Sequence, residues 1–80
     1  MFIVYQSNVV NLNNIVEFKI AGTNTEIIRF VGSQQQVDFY FQNQELAKFI
    51  FDEIIRTIPF GYDVFDCDNK IKFSEQYEKK

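Results

Sequence analysis

Three aspartates, Asp63, Asp66 and Asp68, crowd around the single cysteine of the chain, Cys67. Carboxylates this close can hold a calcium ion, and a thiol beside them invites a redox or nucleophilic reading. An EF-hand loop begun at Asp66 would run DCDNKIKFSEQY. Its first and third positions fit. The fifth is Lys70, the sixth is Ile71 where glycine must turn, and the twelfth is Tyr77 where a bidentate glutamate belongs. The calcium reading fails, and a solvated acidic turn is what the pattern supports. Cys67 fares no better as a nucleophile, because Asp66 and Asp68 raise a thiol pKa rather than lower it. A small buried hydrophobe is the expected role.

Histidine is absent from all 80 residues. That removes the commonest general base and neutral metal ligand, and with them any Ser–His or Cys–His pair. Three isolated glycines make no phosphate loop. The residues therefore predict no enzyme, no cofactor, no metal and no small-molecule substrate. The net charge of −3 argues against nucleic acid, whose phosphates need a basic face. The basic residues Lys70, Lys72, Lys79 and Lys80 are interrupted by Glu75 and Glu78. Direct binding through Lys70 and Lys72, or acidic mimicry that inhibits a nucleic-acid enzyme, is the alternative function class.

What remains is apolar surface. Ten phenylalanines and four tyrosines are more than one small core readily absorbs. Phe18, Phe30, Phe39, Phe41 and Phe51 fall where a sheet and a helix would bury them. Tyr40 is the outward aromatic of its strand, without the stacking motif of an RNA-binding sheet. Phe49, Phe60, Tyr62 and Phe65 are the rings least easily placed. With Arg56 as a polar anchor, they are the candidate protein-interaction residues, since aromatic side chains dominate such contacts. Phe49 falls among Glu45, Asp52 and Arg56 on the helical wheel, to be covered by the C-terminal segment or by a partner.

The elements that position these residues follow from hydrophobic period. Phe2–Gln6 is an apolar run without clean alternation and reads as a strand covered on both faces or an edge strand against the helix, Ser7–Asn8 as a turn and Val9–Leu12 as a short return strand. In Ile15–Ile20, alternation puts Val16, Phe18 and Ile20 on one face with Glu17 and Lys19 opposite. Ala21–Asn24 forms a hairpin loop at Gly22, and Thr25–Val31 is the next strand. A four-residue loop, Gly32–Gln35, then pairs Phe30 with Val37, Arg29 with Asp38 and Ile28 with Phe39. Val37, Phe39 and Phe41 point inward, Asp38 and Tyr40 outward.

Within Val37–Pro59 the period changes from two to 3.6. Asn43 caps a helix whose stripe is Ala47, Ile50, Phe51, Ile54 and Ile58, with Asp52 and Arg56 spaced to pair outside. Pro59 stops it and Gly61 releases the chain. Beyond lie a weak alternation over Tyr62–Cys67, a turn at Asp68–Asn69 and a short strand at Ile71–Phe73. The order NLNNIVEFKI, IIRFVG, VDFYFQNQELAKFIFDEII resembles small uncharacterised bacterial and phage proteins with a strand-rich N-terminus and one helix. That resemblance covers Phe2–Ile58, has Asn11–Val16 as its motif-like piece, and implies no activity and no site residues.

The sequence thus predicts one α+β domain over residues 1–73 and a polar, frayed tail over 74–80. Its expected architecture is a four- to five-stranded, mostly antiparallel sheet with one amphipathic helix packed on one face. With one cysteine and no basic N-terminal region, a cytosolic setting is expected, free of membrane. The expected function is a non-enzymatic regulator or accessory protein that binds a protein partner or a second copy of itself.

Overall fold

Phe2–Tyr5 (β1) and Asn8–Asn11 (β2) form an antiparallel hairpin, closed by Gln6 and Ser7 at φ of 46° and 69°. Two residues of that hand match the twist of the strands they join, which places the turn one residue earlier than expected. A 3₁₀ turn, Leu12–Asn14, follows, with the Asn11 side chain accepting from the Asn13 N–H at 3.0 Å. Ile15–Ala21 (β3), Ile27–Gly32 (β4) and Gln36–Tyr40 (β5) then make an antiparallel meander. The helix Gln44–Thr57 (α1) and a 3₁₀ turn at Ile58–Phe60 lead to Val64–Asp66 (β6), which pairs parallel with β1. Cys67–Glu78 (α2) closes the chain. The structure, a computed structural model, describes residues 1–78, with side chains through residue 73.

The α+β organisation is as expected, but the strands divide into two three-stranded sheets, β2-β1-β6 and β3-β4-β5. The capped turn at Leu12–Asn14 lies at the break, between β2 of one sheet and β3 of the other. Beyond it, β3 founds a sheet of its own. Tyr5 joins the two layers: its ring lies 4.6 Å from Phe41 and 5.4 Å from Phe39, and its hydroxyl donates to the Tyr40 carbonyl at 2.8 Å. One core cluster holds Ile3, Val10 and Phe65 of the first sheet, Ile28, Phe30 and Phe39 of the second, and Ala47, Ile50 and Ile54 of α1. α1 lies along β3 and β4, and α2 lies against β1 and α1.

The β4–β5 register is the one that matching of side chains demands. Phe30 faces Val37, Ile28 faces Phe39, and Arg29 faces Asp38. Arg29 donates to both Asp38 oxygens, from Nε at 2.9 Å and Nη2 at 3.1 Å. In the loop before β4, Gly22 sits at φ +96°, and a Cβ there would meet Glu26 Oε1 at 2.6 Å. That carboxylate is held in place by the Asn24 N–H, which donates to its other oxygen at 2.8 Å. The hairpin loop is therefore longer than expected, and β4 starts at Ile27 rather than Thr25.

β3 departs from simple alternation. Its pairing with β4 jumps between Ile15 and Glu17, leaving Val16 as the extra residue of a β-bulge. Phe18 and Ile20 pack against the core as expected, but Val16 is turned out and is 79% exposed.

Asn43 caps α1, its Oδ1 accepting from the Leu46 N–H at 2.8 Å. Asn43→Ala should lower unfolding free energy by about 1 kcal/mol in urea titration; an unchanged midpoint would contradict the cap. Ala47, Ile50 and Ile54 are buried as the stripe requires, while Ile58 lies beyond the helix end and is largely exposed. Arg56 reaches Glu53 at 3.9 Å rather than Asp52.

After the helix, Asp68–Asn69 and Ile71–Phe73 belong to α2 rather than to a turn and a strand. Asp66 is the cause: its Oδ1 accepts from the Asn69 N–H at 3.2 Å, which starts a helix where a turn was expected. Ile71 packs against the core from this helix. α2 also takes in residues 74–78 of the expected tail, and residues 79–80 of that tail lie outside the described residues. Among the described residues no helix is long and apolar enough to cross a membrane.

Candidate interaction surface

The acidic group that suggested chemistry is dispersed into structural roles. Asp66 caps α2, Asp68 Oδ2 accepts from the Gln6 N–H at 2.8 Å, and the Asp63 carbonyl accepts from the Phe2 N–H at 2.8 Å. Cys67 is fully buried. Burial pushes its thiol up to about 12, helped by the charges of Asp68 and Asp66. It stays protonated at physiological pH and is no nucleophile. Among the described residues no three His, Cys, Asp or Glu side chains gather to hold a metal.

The candidate interaction residues separate into three kinds. Phe65 is 2% exposed in the core, so it cannot anchor a partner, and its place in that set is corrected. As the central residue of β6 it is paired with Ile3 and covered by both layers. Phe49 is partly buried and packed against the core, so a charge there would cost folding as well as contact. Arg56 is exposed beside Glu53. Phe60 and Tyr62 are the pair the fold brings together. They are 70% and 60% exposed, and their rings stack with centroids 6.0 Å apart.

Local geometry explains why those rings stand out. Pro59 sits in the first turn of the 3₁₀ segment, which Gly61 ends in the left-handed region at φ +70°. The reversal swings the chain from the end of α1 toward β1, where the Phe2–Asp63 hydrogen bond fastens it. Phe60 and Tyr62 flank the reversal and have no layer to enter.

Tyr62 forms one wall of a cleft of about 440 Å³. Met1 and Leu12, held together by the Leu12 N–H to Met1 carbonyl bond at 2.9 Å, form another. Ile15, the bulged Val16 and Phe18 line it from β3, and Ile58 from the end of α1. Glu17 and Asp63 are the acidic residues of the same lining. The volume is in the range of sites that take a side chain or small ligand, and the walls offer apolar contact with no nucleophile–base pair.

A second apolar surface is the outer face of the β2-β1-β6 sheet. The register sets Phe2 beside Val64 and Val4 beside Val9, and Phe2, Val9 and Val64 are 45%, 61% and 56% exposed. Sequence reading missed this face and the Val16 contribution to the cleft. The non-alternating run Phe2–Tyr5 is the signal for the first, since such a strand must present apolar side chains on both sides. No family model, curated protein or solved structure matches the chain. The functional reading therefore rests on the geometry alone.

Proposed function

We propose that this is a non-enzymatic interaction domain, acting in the cytosol as a small regulator or accessory protein that docks a protein partner. The observation that carries the reading is the exposed, stacked Phe60–Tyr62 pair, of which Tyr62 lines the cleft. A stacked pair of rings left in water is poor for solubility and good for binding, because aromatic side chains bring large contact area with few rotatable bonds. The net charge of −3 and the absence of histidine favour this over nucleic-acid binding or catalysis. Retention of lysate proteins by the wild type and a Phe60→Ala/Tyr62→Ala variant tests it. Proteins held by the first and lost from the second support the reading; identical retention refutes it.

The open face of the β2-β1-β6 sheet favours self-association as a second reading. Four apolar side chains supply a few hundred Å² per copy, against about 800 Å² per partner in a stable complex. A dimer formed there would need a further contact.

A further inference from the structure

The chemistry of the cleft wall narrows the partner, if the interaction reading above holds. Glu17 and Asp63 both line it, and no lysine or arginine side chain is among its described walls. Leu12, Ile15 and Phe18 give it apolar wall, and Asn13 adds a polar side chain. Ile58 and Gly61 also contribute, and they follow the C-terminal end of α1, where the last carbonyls of the helix carry partial negative charge. Two acidic residues and no basic one among its lining residues give the cleft a negative bias. Lys19 lies 3.2 Å from Glu17, but both side chains are more than half exposed. Such a pair is readily exchanged for a partner cation.

We infer that the cleft receives a segment of a partner protein bearing an apolar side chain next to lysine or arginine. The apolar group fills the space between Tyr62 and the Val16 bulge, and the cation meets Glu17 and Asp63. An acidic neighbour would instead bring like charges together, so the same carboxylates that attract one class of segment reject the other.

The test uses three short synthetic peptides on the full chain, each with one central phenylalanine, flanked by lysines, by serines or by glutamates. Amide shifts in nitrogen-15 spectra report where and how tightly each binds. The lysine peptide should move the amides of residues 15–18, 58 and 60–63 and bind about tenfold more tightly than the glutamate peptide. Its advantage should shrink at about 0.5 M salt. The charge-removing variants Glu17→Gln and Asp63→Asn should each weaken it about threefold and leave the serine peptide unchanged. Equal binding of all three peptides overturns the charge selection while sparing the docking cleft. Absence of shifts with every peptide at about 5 mM overturns both.

Discussion

Phe30→Ala is expected to remove about 3–5 kcal/mol of folding stability, the largest effect of any single truncation in this chain. Phe30 is 0% exposed and stands at the centre of a run of rings. Phe39 meets it edge-on at 5.0 Å and Phe18 lies 5.8 Å away, with Phe51 of α1 5.3 Å beyond Phe18. Removing the ring leaves a cavity that the β4–β5 register, pinned by Arg29 and Asp38, prevents from collapsing. A chain of this length carries about 4–12 kcal/mol in total, so the variant should lose a large share of its stability. Phe30→Leu keeps most of the volume and should cost about 1–2 kcal/mol. Urea denaturation followed by circular dichroism measures both. A cost under about 1 kcal/mol for alanine would mean that the layers do not close on Phe30.

Replacing the exposed rings should do the opposite. Phe60→Ala/Tyr62→Ala is expected to leave the unfolding midpoint nearly unchanged, within about 0.5 kcal/mol, because neither ring supports the core. Affinity for a purified partner should fall by about a hundredfold or more. Aromatic anchors at the centre of an interface commonly cost about 2 kcal/mol or more each when truncated. The two losses will not simply add, since the rings stack on one another. Tyr40→Ala is the matching control. That ring is 63% exposed, but on β5, next to Asp38 and paired with Ile27, and it is not among the residues that line the cleft, so its loss should leave binding intact. A folded double variant with full affinity would remove the aromatic pair from the interface.

Much of the fold was legible wherever one local rule dominated. Asn43 before a 3.6-residue stripe, Gly22 in a hairpin loop, and the apolar and charged matches across β4 and β5 each had one sterically or electrostatically favoured solution. The failures arose where two local solutions compete. Asp66 can begin a turn or cap a helix, and Ile71 buried against the core decides for the helix. Val16 alternates with Phe18 in sequence, yet the bulge reverses it, and nothing local announces a bulge. The division into two sheets falls at the turn where the Asn11 side chain holds Asn13, a contact that spacing alone does not reveal.

The candidate site was half legible for a related reason. Phe60 and Tyr62 stood out because they follow a helix stop and precede no strong strand. Phe65 looked equivalent until β6 paired with β1 and carried it inside. The cleft itself draws on Met1, Leu12, Val16, Ile58 and Tyr62, which come together only in three dimensions.

The central claim is that the surface around Tyr62 meets a protein partner, and site-specific photo-crosslinking in living cells tests it most directly. A photoreactive aromatic residue is placed at position 62 or, for comparison, at position 40. The account predicts a discrete higher-mass adduct from position 62, lost when Phe60 is replaced by alanine, and none from position 40. Adducts of equal yield from both positions, or none from position 62, would contradict it.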